Sequence, residues 1–295
     1  MPLRVGYVRE HFSSPLLQFA NDDGDKTFTL VECPSGTGQL ISRLTDNEID
    51  VAIALTDALI AGIANGSKAY KLVGSYVSTP LNWWRSSPEK SPEYQSIVDL
   101  EGTPIGISRL GSGSQIMAYV MALQQGWATD TLRFKVNNDI HSLIDSVNDG
   151  STSAFMWEWF TTKPFVDAGR VRFIGSVPTP WQSWLIAAHP SRDRAPSHEL
   201  RAFLETLSTY VVAFDAPEKR AGPNVEFIKE TFGYPEEDIV AWLKTVGYPK
   251  DCSTIPEKIF TDTLTTLEMA GVIKAPERYQ FDVKTFIDAT VVTLT

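Results

Sequence analysis

The feature that most constrains this chain is the alternation of short β-rich runs with helical runs over its first 75 residues. Residues 3–8 read as a strand. Ser13 or Ser14 then caps a helix with Pro15 in its first turn, where proline fits because no backbone donor is needed. Residues 27–32 give a second strand rich in Thr, Phe and Val, and 39–44 have helical spacing with Leu40, Ile41 and Leu44 on one face. Residues 50–54 are a continuous apolar run, as expected of a strand covered on both faces. Thr56 and Asp57 open a further helix that ends at Gly66, and 72–77 form a fourth strand. Strand–helix–strand alternation with short loops predicts a parallel α/β sheet.

The composition changes at 86–96, where Ser86, Ser87, Pro88, Ser91 and Pro92 stand among charges, so this stretch reads as a surface crossing into a second lobe. A second α/β run then follows. It has strands at 103–108, 132–136, 153–157 and 171–174, and helices at 115–125 and 140–147. The apolar run 183–187 suits a strand returning to the first lobe. Beyond it Leu200, Phe203, Leu204, Leu207 and Val211 recur at helical spacing, with Ser197 as the expected N-cap. A helical tail needs a sheet to cover, and the first lobe has too few helices of its own. The chain therefore reads as lobe I from 1–85 and 187–295, lobe II from 86–186, hinges near 80–90 and 180–188, and a ligand cleft between the lobes.

Composition narrows the function. The chain has 295 residues, 43% of them hydrophobic, and a net charge of −10. Acidity without any basic stripe argues against nucleic acid as a partner. No run approaches the ~18 apolar residues of a membrane span, so membrane insertion is not expected. Residues 1–8 run straight into a strand without a leader pattern, which points to the cytoplasm, or to the periplasm or secretion if a leader was removed. Cys33 and Cys252 lie far apart without metal spacing and read as two reduced thiols.

Three strings resemble the type II periplasmic binding proteins: Leu3-Arg4-Val5-Gly6-Tyr7-Val8, Asp50-Val51-Ala52-Ile53, and Val98-Asp99-Leu100-Glu101-Gly102-Thr103-Pro104-Ile105-Gly106. The branch resembled is that of alkanesulfonate and thiamine-pyrimidine-precursor binders. Within it, the run from Ala154 to Pro164 (AFMWEWFTTKP) and Thr179-Pro180-Trp181-Gln182-Ser183-Trp184 are similar to a leaderless, largely fungal intracellular group. The resemblance implies two lobes, each a mixed, mostly parallel sheet flanked by helices, with a ligand cleft between them.

Candidate ligand contacts fall at expected strand ends. Gly111, Ser112, Gly113 and Ser114 precede a helix whose free N–H groups suit a carboxylate, sulfonate or phosphate, and Arg109 stands just before them. The family often places a ligand-holding helix start there. Ser35, Gly36 and Thr37 form a turn after the second strand, without the Lys of a phosphate-cradling loop. His11, Ser13 and Ser14 follow the first strand, and Thr56 and Asp57 the third. Each of these sets reads equally as capping or turn structure. Six of the eight tryptophans fall in pairs, and Trp84, Trp159 and Trp181 are candidate stacking rings, with core packing as the competing role. If the strand at 153–157 continues that far, alternation puts Trp157 and Trp159 on one face and Glu158, the remaining candidate, on the other.

No catalytic motif or metal spacing occurs, and no cofactor is expected. Related pyrimidine synthases carry a cysteine-rich iron motif that this chain lacks. The reading is a non-catalytic binder of a small anion or pyrimidine-like molecule. A cleft enzyme of thiamine-precursor-like chemistry, with His11 or Asp57 as base, and a transporter receptor with a removed leader are the alternatives.

Overall fold

Strand β1 (Leu3–Tyr7) is followed by helix α1 (Ser14–Asp23), β2 (Phe28–Glu32), α2 (Thr37–Thr45), β3 (Val51–Leu55), α3 (Thr56–Ala64) and β4 (Lys71–Val77). Then come β5 (Asn82–Pro88), β6 (Pro104–Ile107), α4 (Gly113–Gln125), β7 (Arg133–Val136), α5 (Ile140–Asn148), β8 (Ala154–Glu158), α6 (Trp159–Asp167) and β9 (Val171–Pro178). The chain ends with β10 (Trp184–Ala188), α7 (Ser197–Asp215), α8 (Pro217–Arg220), α9 (Pro223–Phe232), α10 (Glu236–Leu243), β11 (Thr254–Ile255), α11 (Glu257–Met269) and β12 (Thr293–Leu294). These elements come from a computed structural model that describes residues 2–88, 93–275 and 280–295, without the side chains of 84–88.

The chain divides into two compact units. One comprises Met1–Thr79, Trp181–Thr263 and Ala275–Thr295, and the other Pro80–Pro180 and Leu264–Lys274. The sequence reading puts the crossings at 85/86 and 186/187 and keeps 264–274 in lobe I. Part of the difference lies in β5. Residues 86–88, read as the start of a polar surface crossing, belong to a strand hydrogen-bonded to both β8 and β9. Its consecutive polar residues Arg85, Ser86 and Ser87 hide the usual strand alternation.

In the first unit the sheet order is β2-β1-β3-β10-β4. β1 pairs in parallel with β2 and β3, and β10 runs antiparallel between β3 and β4. Val51, Ala52, Ile53 and Ala54 are all at most 1% exposed, which is why this strand is apolar on both faces. The apolar stripe of α7 is buried as its spacing predicts, and Phe19 of α1 stacks on Phe203 at 5.8 Å and on Tyr210 at 4.9 Å. Each such buried side chain contributes roughly 1.5–3 kcal/mol. Ser197 is the first residue of α7, not its N-cap, which is Pro196. The Ser197 hydroxyl instead lies 3.2 Å from that of Thr290.

Edge strand β4 does not stay open. Leu72 N–H donates to the Phe286 carbonyl, Asp288 N–H to the Leu72 carbonyl, and Ser75 N–H to the Cys252 carbonyl. These bonds occupy backbone groups that would otherwise template unwanted pairing. The close approach requires glycine at position 74: a Cβ there would lie 2.1 Å from the Cys252 carbonyl oxygen. Gly74→Ala is expected to lower stability by about 1–3 kcal/mol. The measurement is the urea midpoint at unchanged m-value; an unshifted midpoint would show that the 252 segment moves aside freely.

In the second unit the order is β7-β6-β8-β5-β9, again with one antiparallel strand in fourth place. Both units thus repeat one topology with unrelated residues. The second core gathers Leu143, Ile144, Val147, Phe155 and Val171, with Trp157 packed against it.

Candidate functional site

The C-terminal edge of the first sheet collects most of the sequence candidates. After β1, His11 is 1% exposed in a short 3-10 turn. Its ring lies 4.5 Å from Phe12, 4.6 Å from Trp242 and 5.3 Å from Tyr234, the last two edge-on. Burial lowers its pKa to about 3, so the imidazole is neutral and a weak base. Ser13 donates its hydroxyl proton to the Val8 carbonyl, and Ser14 to the His11 carbonyl. Both hydroxyls therefore shape the turn. After β2, Ser35 is exposed and Gly36 has φ 75°, which glycine adopts without strain. The buried Thr37 hydroxyl accepts from Leu55 N–H at 3.2 Å and ties this turn to the end of β3.

After β3, Thr56 and Asp57 are the first two residues of α3, with Leu55 as N-cap. Thr56 is fully buried and its N–H donates to the Ser183 carbonyl. Asp57 is 3% exposed, and burial raises its carboxyl to about 6 despite hydrogen bonds from its own N–H and that of Ala58. The segment leading into β10 arrives beside them, since Trp184 pairs with Leu55. Trp184 also lies 5.9 Å from Phe12, which in turn lies 5.4 Å from Trp242. Trp181 is buried in the same segment at 3% exposure. Thr56 Oγ1, Asp57 Oδ2, Gln182 Oε1, Trp184 Nε1 and Trp242 Nε1 are buried atoms without a hydrogen-bond partner among the described residues. Native proteins leave few such atoms, and each calls for an explanation.

In the second unit, Ser112 caps α4. Its hydroxyl accepts from Gln115 N–H, shares a 2.8 Å bond with Ser114, and Ser114 accepts from Ser108 N–H at 3.1 Å. The hydroxyls of both serines are thus already engaged within the loop. Gly113 and Ser114 remain the first-turn residues whose N–H groups a helix does not satisfy internally. Gly111 has φ 73° and donates its N–H to Gln115 Oε1. Arg109, just past β6, is partly buried, which pulls its guanidinium below the usual range.

The expectation that Trp157 and Trp159 share a strand face is corrected. β8 ends at Glu158, and Trp159 begins α6. The reason is the carboxylate, which accepts from Thr161 N–H at 2.8 Å and from its hydroxyl at 3.0 Å, and so caps the helix. Burial lifts Glu158 to about 7. Trp159 packs on Phe173 with ring centroids 3.7 Å apart. The Trp84 side chain lies outside the described residues; its backbone faces Trp157 in the β5–β8 ladder.

Sequence reasoning did not single out Phe12, Gln182, Trp184, Tyr234 or Trp242. Trp184 was visible as half of a tryptophan pair. Trp242 and Tyr234 come from the helical tail, more than 220 residues from His11, and no local pattern connects them. A cavity of about 400 Å³ lies at the opposite edge, by the starts of β1 and β2, between Leu3, Phe19, Thr27 and Phe203. It includes none of the candidate residues. Among the described residues no three or more His, Cys, Asp or Glu gather as a metal site, and no helix is long and apolar enough to cross a membrane. Cys33 and Cys252 are buried free thiols.

Two five-stranded mixed sheets of the same order, each flanked by helices, define the two-lobed type II periplasmic-binding-protein fold. A sequence family described as Ca3427-like PBP matches residues 83–177. The Candida albicans CA3427 protein, described as defining a new family with the generic periplasmic binding protein fold, is 31% identical, with a TM-score of 0.86. That alignment covers 100% of this chain and 98% of CA3427. The chain belongs to the CA3427 family. Fold similarity extends to the alkanesulfonate-binding protein SsuA of Xanthomonas axonopodis pv. citri, bound to MOPS, at 16% identity and TM-score 0.77 over 100% and 98% of the two chains. It extends also to the periplasmic aliphatic sulphonate binding protein SsuA of Escherichia coli, at 15% and 0.69 over 98% of each. No match is found among the curated proteins.

Proposed function

We propose that this protein binds a small molecule, without transforming it, at the loops following the C-terminal strand ends. The observation that carries this reading is the set of buried polar atoms after β3 and before β10 that the described protein groups leave without partners. Buried polar groups cost free energy unless they are hydrogen-bonded, so a ligand that bonds them gains what the apo chain forgoes. The set sits where open α/β sheets take their ligands. Sulfonate binders among the fold neighbours, SsuA with MOPS for one, support binding as the use of this architecture. His11, as a neutral and weak base, does not favour acid–base chemistry.

Native mass spectrometry of the freshly purified protein is expected to show a co-purified small molecule. A thermal-shift screen of sulfonates, phosphates, carboxylates and pyrimidines should raise Tm, since a ligand at a hundredfold its Kd adds about 2.7 kcal/mol. Absence of both a co-purified mass and any shift across the four classes would overturn the reading.

A further inference from the structure

We propose that the first unit receives a nitrogen donor of the ligand, an amine or amidine N–H, at Asp57, Thr56 and Gln182. This inference rests on the binding reading above and specifies the ligand chemistry at one edge. Of the five partnerless buried atoms named above at this edge, three are oxygens: Asp57 Oδ2, Gln182 Oε1 and the hydroxyl of Thr56. An ionised carboxylate and an amide oxygen only accept hydrogen bonds, so a sulfonate, which likewise only accepts, satisfies neither. Each needs a donor, which an N–H group supplies. The three residues belong to one neighbourhood: Thr56 and Asp57 are consecutive, Thr56 N–H is bonded to Ser183, and Gln182 precedes Ser183. Thr56, Asp57 and Trp184 are at least 96% buried, so these are not surface groups with easy access to solvent. The indole N–H groups of Trp184, two residues from Gln182, and of Trp242, which like Trp184 packs near Phe12, are further buried donors at this edge, which suits a ligand that carries an acceptor as well as its N–H, as on an amino-substituted heteroaromatic ring. A cationic donor would also offset the burial that holds the Asp57 carboxyl at about 6.

The test uses two probe pairs that differ only in the amine: 2-aminoethanesulfonate against ethanesulfonate, and 4-aminopyrimidine against pyrimidine. Affinities are measured by calorimetry on the full chain and on Asp57→Asn and Thr56→Val. In at least one pair the amine-bearing member is expected to bind tenfold or more tighter, with the preference falling below threefold in Asp57→Asn. Thr56→Val, which keeps the carboxylate, reads the same loss to a smaller extent and serves if Asp57→Asn does not fold. Desamino members that bind as tightly as their partners would overturn this inference while leaving the binding reading intact. So would an amine preference that survives both substitutions; ordered water would then be what meets these oxygens. If no probe binds and no small molecule co-purifies, the binding reading falls and takes this one with it.

Discussion

Asp57→Asn is expected to gain about 3 kcal/mol of stability relative to the parent protein as pH rises from about 4 to about 8. Burial holds the folded-state carboxyl near 6, against 3.8 for the ordinary side chain. A raised acid pKa means that the folded state binds the proton more tightly than the unfolded chain. The stability that this side chain contributes is therefore complete below about 3.8 and is lost as pH climbs through about 6. Each pKa unit corresponds to ~1.4 kcal/mol, and the shift is about two units. The asparagine variant has no proton to lose, so its stability minus that of the parent should climb across this window and level off above it. Urea unfolding of both proteins at several pH values measures the difference. A flat difference would mean that Asp57 is solvated or paired in solution. Glu158, lifted to about 7 by burial, acts in the same direction in the second unit and is common to both proteins, so it cancels from the comparison.

Asp50→Ala should cost about 3 kcal/mol, the low end of the range for removing one partner of a buried ion pair. The Asp50 side chain is 8% exposed and sits between two arginines. It accepts from Arg4 N–H, Nε and Nη2 and from Arg194 Nη2, all at 2.8–3.0 Å. Its removal leaves two guanidinium groups facing each other and a backbone donor of β1 without its acceptor. Both arginine side chains keep partial exposure, 37% and 26%, so water relieves some of the cost. Arg4→Ala should cost clearly less, because Arg194 still neutralises the carboxylate. The check is the denaturant midpoint of the two variants side by side; equal losses would show that Asp50 acts through packing, not charge. Asp50 and Asp57 bracket one strand and illustrate opposite solutions. At the N-terminal end the carboxylate is fully partnered by the chain, whereas at the C-terminal end it is not.

Much of the architecture was legible because its signals are local. The apolar run of β3, the Pro15 helix start and the i, i+3, i+4 stripe of α7 each follow from the sterics of a few neighbouring residues. The same holds for the Gly and Ser residues around the start of α4. β5 was not legible, because its place between β8 and β9 is a long-range pairing that its own polar residues do not advertise. Nor was the turn after β8: strand alternation sets Trp159 on the face of Trp157 only if the strand runs on, whereas hydrogen bonds from Thr161 to the Glu158 carboxylate start a helix at Trp159.

The candidate residues divide in the same way. Sequence alone placed His11, Thr37, Thr56, Asp57 and Ser112 at the ends of strands, since strand ends are set by local periodicity. It also determined the two-lobed class, through motifs that the CA3427 relationship bears out. Which of these groups are committed to the chain and which are left over was decided by tertiary structure alone. The Ser13, Ser14, Ser112 and Ser114 hydroxyls looked as available as that of Thr56, yet folding brings the first four acceptors or donors from the backbone and each other. It brings Asp57 Oδ2 none among the described residues, and sets Gln182 and Trp184, from another part of the chain, in its neighbourhood. The physical reason is that hydrogen-bond satisfaction depends on distances between segments far apart in sequence, which periodicity does not encode.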